Sequence, residues 1–144
     1  KIIIGNNIKI KKVSCGSLHT AVITENGQLY VFGCGDGGRL GLGIENYNCV
    51  LPTLVTSLIN EKISSVSCGN TTTAVLTEII TINDRPIGGK VYLAGSGNVF
   101  GKEYPSFTLL KEMENIPVKH ISCGYQHTIL ITNQGELYSW GRNK

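Results

Sequence analysis

Apolar and polar side chains alternate along this chain in short runs, and glycine, asparagine or proline separates one run from the next. A period of two over a handful of residues is the signature of a half-buried strand. One set of runs comprises Ile10–Cys15, residues 20–24, Leu29–Gly33 and a proline-led segment over residues 52–58. The set returns as Ile63–Cys68, residues 73–77, Val91–Gly95 and residues 105–110. Its first three members return again as Val118–Cys123, residues 128–132 and Leu137–Gly141. No window sustains a helical period, although residues 109–113 are expected to form a turn.

The first run of each set ends in Ser-Cys-Gly, with Cys15, Cys68 and Cys123 spaced 53 and then 55 residues apart. Self-similarity at such a period marks a repeat architecture: a solenoid, a propeller or another array. Asn26-Gly27 reads as a tight hairpin turn between second and third strands, because such turns need positive φ and glycine adopts it at little cost. Gln134-Gly135 holds the same place in the third set. Gly16, Gly69 and Gly124 follow the first strand, where the chain is expected to reverse, and Gly33, Gly95 and Gly141 close the third. An antiparallel four-stranded unit with this glycine rhythm is one blade of a β-propeller, so the expected fold class is all-β. The blades fall at residues 9–60 and 61–115, with an incomplete third at 116–144. Residues 1–8 are a candidate for the last strand of a preceding blade.

Cys15 stands four residues before His19, and Cys123 four before His127, which raises a metal site or a nucleophile with its base. The middle repeat argues against both: it keeps Cys68 but has Thr72 where the histidine would fall. A zinc site needs four ligands around one ion, whereas each repeat offers one cysteine and at most one histidine. The cysteine is expected to act as a small buried hydrophobe. The histidine is expected to hydrogen-bond backbone at the turn between first and second strands, a place that Thr72 also fills. His19 and His127 should then contribute alike to stability, and His120, which is not repeated, should lie on the surface. Cys15, Cys68 and Cys123 should be protected thiols, with Cys34 and Cys49, in the long loop, reacting sooner.

The run GCGDGGRLGLG, residues 33–43, follows a strand and contains a G-x-G-x-x-G spacing. A dinucleotide cradle would need a helix to start there, and Gly41 and Gly43 oppose one. A structural loop is expected. No phosphate-loop motif occurs, and the carboxylates are too scattered for an acid and base pair. Trp140 takes the position of Phe32 and Ala94, which makes it a packing residue. No catalytic residue, cofactor or metal is expected.

Composition narrows the picture further. Hydrophobic residues at 41% and charged residues at 16% describe a folded chain, and 18 glycines are well above ordinary usage. The net charge of +3 is interspersed, and the KIKK run at residues 9–12 is the solvated side of a strand, with no second cluster to make a nucleic-acid patch. Five cysteines, an odd number with three at one repeated position, fit reduced thiols in an intracellular compartment, cytoplasm or nucleus. No stretch is long and apolar enough for a membrane span. Asn70-Thr71-Thr72 matches a glycosylation sequon of the kind that arises by chance.

The elements V/I-S-C-G-x-x-H-T, N/Q-G-x-L-Y-x-W/F-G and G-R-L-G-L-G together resemble the regulator of chromosome condensation repeat family, over about two and a half repeats. The resemblance implies blades of four antiparallel strands amounting to roughly a third of a seven-bladed ring. It follows that the chain is either a piece of something longer, which is the expectation, or one of several copies that complete a ring. The founding member's activity is guanine-nucleotide exchange on a Ran-like small GTPase, through a protruding wedge in the loop after the third strand of one blade. Some relatives absorb light through clustered tryptophans, which the lone Trp140 does not support.

One departure from the pattern remains. Thr24 to Gly27 and Thr132 to Gly135 take three steps, but Thr77 to Gly89 takes twelve. The added residues are expected to lengthen the hairpin through residues 80–82 and 90–92, with Asn83-Asp84-Arg85-Pro86 at its tip. Long loops on rigid scaffolds are where function tends to sit. Asp84, Arg85, Pro86 and Ile87 are therefore the candidate contacts, joined by Tyr104 if the fold brings it near. Successive turns of a meander alternate between faces, so this insertion points away from the glycine-rich loops where an exchange wedge would lie. The expected role is a non-catalytic scaffold for a protein partner. The alternatives are part of an exchange factor for a small GTPase and the targeting domain of a larger ubiquitin ligase or kinase. No small-molecule substrate is expected, and nucleic acid or chromatin would be reached only through parts beyond these residues.

Overall fold

The computed structural model describes residues 1–43, 47–96 and 101–142, all in strands, turns and loops. The first blade is β1 (Ile10–Cys15), β2 (His19–Thr24), β3 (Leu29–Gly33) and β4 (Cys49–Leu54), hydrogen-bonded in that order. The second uses β5 (Ile63–Cys68), β6 (Thr72–Thr77), β9 (Val91–Gly95) and β10 (Tyr104–Leu109). Between β6 and β9 the chain makes a separate two-stranded ribbon of β7 (Ile79–Ile82) and β8 (Arg85–Gly88). The third sheet holds β11 (Val118–Cys123), β12 (His127–Thr132) and β13 (Leu137–Gly141).

First and third strands lie where the alternation predicts, and each second strand starts one residue earlier, at His19, Thr72 and His127. The outer strands β4 and β10 also start before their prolines, since Pro52 and Pro105 sit on sheet edges where the missing N–H costs little. Each then gives way to a short 3-10 turn, at Thr56–Leu58 and Lys111–Met113. The pairing of every first strand with its second slips at the same place, at Lys11, Ser64 and Lys119. Residues 1–9 form no strand.

The core lies between blades, not within them. One cluster joins Ala21, Leu29 and Val31 of the first blade to Ile63, Cys68 and Val75 of the second. Another joins Ala74, Leu76, Val91 and Leu93 of the second to Val118, Ile121 and Leu130 of the third. Each blade thus has a trailing face that covers the leading face of the next. Polar groups are stitched across the same seam: the Cys68 N–H donates to Ser14 Oγ (3.0 Å), and the Cys123 N–H to Ser67 Oγ (2.8 Å). Backbone bonds repeat as well, with Ile63 N–H donating to Gly27 O (2.9 Å) and Val118 N–H to Gly89 O (3.0 Å).

Gly16 and Gly69 turn out to be needed for closeness rather than for reversal, since neither has positive φ. A Cβ on Gly16 would lie 2.3 Å from Gly69 O, and one on Gly69 2.6 Å from Gly124 O. Only glycine lets neighbouring blades approach this closely.

The expected order of thiol protection is corrected by the same seam. Cys68 is buried and Cys123 half-buried, but Cys15 is exposed because no described blade covers the first leading face. Cys49 is buried because it opens β4 and packs into the first core cluster, instead of lying in the loop. Burial pushes the Cys68 thiol up to about 12 and raises that of Cys123. In dilute native protein, Cys15 and Cys34 should therefore react first with a thiol reagent and Cys49 and Cys68 last, followed by mass spectrometry of timed samples. Fast labelling at Cys68 would contradict the packed seam.

Candidate functional site

His19 is buried and reaches into the next blade, its Nε2 lying 2.7 Å from Thr73 Oγ1. Thr73 Oγ1 donates its only hydrogen to Arg39 O at 2.6 Å, so it must accept from an Nε2–H tautomer of His19. Nδ1 then carries a lone pair, has no hydrogen-bond partner and faces Gly16. The expected backbone bond at the histidine's own turn is thus replaced by a side-chain bond between blades. His127, which no described blade covers, is exposed, so the two histidines are not equivalent among the described residues. His120 is exposed too. Thr72, in the histidine's place, donates to Ser96 O at 3.0 Å.

Arg39, from the G-R-L-G-L-G loop, is a residue that the sequence reading missed. It is 5% exposed, and its guanidinium donates to two peptide carbonyls, Asp36 O (2.7 Å) and Asn70 O (3.1 Å) of the second blade. The loop around it also packs on β10, where Leu42 pairs with Ser106. The glycine-rich run therefore serves as a strap between blades. Burial lowers the His19 pKa from 6.5 to about 4, and the Arg39 charge adds to the effect.

The inserted ribbon departs from expectation in its details. It is not a continuation of the β6–β9 hairpin, because Gly88 and Gly89 have φ of +98° and +62° and break the strand. Both must be glycine: a Cβ would lie 2.0 Å from Glu78 O at the first and 2.7 Å from Val118 N at the second. Lys90 consequently lies outside any strand. The tip is the two-residue turn Asn83-Asp84, both with positive φ, while Arg85, Pro86 and Ile87 belong to β8. Pairing places Ile80 opposite Ile87 and Ile82 opposite Arg85, so the three isoleucines and Arg85 share one face of the ribbon. Each isoleucine is about half exposed: 50% at Ile80, 48% at Ile82 and 49% at Ile87. Ile80 and Ile82 were missed in the sequence, although their alternation around Thr81 was the available signal.

The stem is clamped on both sides by neighbouring residues of the second blade. Lys62 pairs with Glu78, just before β7, at 2.8 Å. Glu61 accepts from Lys90, just after β8, at 2.9 Å and from the Tyr92 hydroxyl at 2.7 Å. Burial pulls the Glu61 pKa upward, but the Lys90 and Tyr92 hydrogen bonds outweigh it and hold it below its usual range. Tyr104 does not join this site. It pairs with Gly95, at the end of β9 away from Val91, where the ribbon returns to the blade.

Sheets that bury their faces against one another, with a buried strap at the first crossing, define a run of β-propeller blades. Residues 26–76 match the Regulator of chromosome condensation (RCC1) repeat, and residues 10–39 and 118–144 match a second form of the same repeat. The chain belongs to the RCC1 repeat family. It is 38% identical over 139 residues to the X-linked retinitis pigmentosa GTPase regulator of Canis lupus familiaris, covering 91% of this chain and 13% of that protein. It is 36% identical over 139 residues to the ultraviolet-B receptor of Arabidopsis thaliana, covering 95% of this chain and 30% of the receptor. An E3 ubiquitin-protein ligase of Homo sapiens is 33% identical over 133 residues, 90% of this chain and 3% of the ligase. The chain therefore spans less than a third of the length of each of these relatives. In fold it superposes on Prp20p from Saccharomyces cerevisiae with a TM-score of 0.74 at 20% identity, covering 92% of this chain and 33% of the yeast protein. No helix among the described residues is long and apolar enough to cross a membrane.

The buried histidine makes stability depend on pH. Between pH 6.5 and about 4 the unfolded chain binds a proton at position 19 that the native state does not. Its contribution is full above pH 6.5 and is lost as pH falls, at up to about 1.4 kcal/mol per pH unit. His19→Gln keeps a donor without titrating, so the advantage of the natural chain over this variant in urea unfolding should shrink below pH 6.5 and stay level above pH 7. His19→Ala should cost about 1–3 kcal/mol, and His127→Ala less than about 0.5 kcal/mol. Equal losses at the two positions would rule out the cross-blade role.

Proposed function

We propose that this chain is a non-catalytic propeller segment, a scaffold for protein contacts, and that the β7–β8 ribbon meets a protein partner of the complete propeller. One observation carries the reading: a clamped ribbon presents Ile80, Ile82 and Ile87 to solvent beside Arg85. Three half-exposed isoleucines on one small face are costly to keep in water and favourable to bury on a partner. Arg85 lies on the apolar face, and Asp84 lies at the turn, so charge is available to fix orientation. Pro86 stiffens β8 and lowers the entropy lost on docking. Tyr104 lies too far along the blade to take part.

The relatives that share this stretch carry names as different as GTPase regulator, ultraviolet-B receptor and ubiquitin ligase. That range supports a common scaffold put to several uses. A targeting domain within a larger enzyme is the second reading, favoured by the ligase and by a Dictyostelium discoideum kinase and ubiquitin ligase that is 34% identical over 143 residues. Exchange on a small GTPase has less behind it. Prp20p binds Gsp1p and histones, but the likeness to it is one of fold. The ribbon here leaves the blade from the β6–β9 end, opposite the loops that follow β3 and β9. The five free thiols fit a reducing, intracellular setting.

Replacing residues 79–88 by one asparagine would let Gly89 close the same turn as Asn26-Gly27. Gly89 keeps its bond to Val118 across the seam, so melting should shift by no more than about 0.5 kcal/mol in stability. Binding to the partner should weaken at least tenfold, about 1.4 kcal/mol, and Ile82→Glu should do most of the same damage alone. The check is a pull-down with the full-length protein and each variant, compared interactor by interactor. Retention of every interactor at equal yield would mean that the ribbon has no binding role.

A further inference from the structure

The ribbon of β7 and β8 has two outer edges, and among the described residues no strand pairs with either. It springs from the second blade, whose two faces are both covered by neighbours, so its exposure does not follow from an uncovered blade. The hydrogen-bond pattern distinguishes the edges. Antiparallel pairs alternate between those that exchange both bonds and those whose N–H and C=O groups point outward. The Gly89 N–H donates to Glu78 O at 3.4 Å, which brackets the Ile79–Gly88 pair and makes it the outward kind. Ile80–Ile87 and Ile82–Arg85 are then bonded pairs, and Thr81–Pro86 is outward again.

On the β8 side the outward positions are Pro86, which has no N–H, and Gly88, whose φ of +98° bends the strand away. A proline on an edge prevents further pairing there. β7 has no such guard: Ile79-Ile80-Thr81-Ile82 contains no proline, glycine or charge. The N–H and C=O groups of Ile79 and Thr81 face outward at strand spacing, and Thr81 is exposed. One edge of the ribbon is closed and the other is open.

On the footing that the ribbon meets a protein partner, we propose that it does so by strand addition: an extended segment of the partner pairs with β7 and makes the ribbon three-stranded. An extended backbone carries donors and acceptors at the two-residue spacing that Ile79 and Thr81 present, and a helix does not. Its side chains alternate as well. An apolar residue beside Ile80 continues the isoleucine face, and a carboxylate beside Ile82 supplies the missing charge. Arg85 lies directly across from Ile82 and has no ion-pair partner among the described residues. Two strand spacings are about 10 Å, a gap that an extended arginine and a carboxylate side chain close together over Ile82. The occupant is thus an extended segment with an apolar and an acidic residue two positions apart.

The probe is a phage-displayed library of random peptides, selected on the full-length protein and counter-selected on the variant lacking residues 79–88. Selected sequences should place an apolar and an acidic residue two apart. In fluorescence polarisation, Thr81→Pro should weaken a selected peptide by about tenfold or more, whereas Thr81→Val should bind like the natural protein. The proline removes one outward N–H and leaves the bonds to β8 and the isoleucine face in place. Arg85→Gln should weaken the acidic peptides and not their neutral versions. Should Thr81→Pro disturb the ribbon, amide hydrogen exchange on the natural protein decides alone. Peptide should slow exchange at Ile79 and Thr81, and change Ile80 and Ile82, already bonded to β8, far less. Ribbon-dependent peptides that bind Thr81→Pro at full strength, with Thr81 exchange still fast, would overturn strand addition and keep the ribbon as a contact surface. A selection without ribbon-dependent peptides would overturn it too, and the contact role falls only if the pull-down also retains every interactor. Slow exchange at Thr81 before peptide is added would mean that the protein already covers this edge itself, and the proposal fails.

Discussion

A blade of this chain has two apolar faces and covers neither by itself, so its core exists only where a trailing face meets a leading one. Ala21 and Val31 are buried by the second blade, and Val118 and Leu130 by the same stroke of geometry one seam later. Fully burying one such side chain contributes about 1.5–3 kcal/mol, and each seam gathers several. The polar stitching is smaller per bond, near 1 kcal/mol net. Its larger effect is on register, because a serine hydroxyl or a glycine carbonyl accepts only from a neighbour at the right height. Stability in such a stack approximates a sum of blade and seam terms.

The seam also explains why the repeats differ where they do. Ser14 and Ser67 each serve a cysteine N–H one blade on, and that role depends on the hydroxyl. The histidine position is looser: His19 reaches Thr73 across the first seam, whereas Thr72 stays within its blade and bonds Ser96. Arg39 accounts for part of the difference, since the first seam has a buried guanidinium that fixes Asn70 and shares the Thr73 network. A neutral, buried imidazole beside that charge is the arrangement with the smaller electrostatic cost.

The ribbon is added without disturbing this scheme. Gly89 keeps positive φ, as Gly27 and Gly135 do, and its carbonyl still accepts from the next blade. The inserted residues hang from a pinch of two glycines, steadied by Glu61 and Lys62 reaching to Lys90 and Glu78. A two-stranded ribbon alone is marginal in water, so the clamp matters to its shape. Its apolar face can therefore be presented as a formed surface.

Much of the architecture follows from sequence because it is written in local terms. Period-two alternation and turn glycines are properties of neighbouring residues, and eleven of the thirteen described strands, all but β7 and β8 of the ribbon, need little beyond them to be located. The insertion was visible as extra length between Thr77 and Gly89. Its exposed apolar face is less legible: Arg85 and Ile87 lie on it, Ile80 and Ile82 share it without having been expected there, and Tyr104 lies at the other end of β9. Which face of a ribbon is wet, and which end of a strand a loop leaves from, depend on pairing partners that spacing alone does not name. The same holds for the cysteines and histidines. Cys15 and Cys68 sit in the same local sequence, as do His19 and His127, yet one of each pair is buried and the other exposed. The sequence determined the blade and its repeat. The stacking of blades decided which copy of each residue is covered, because burial here is supplied by the neighbour and not by the strand that carries the residue.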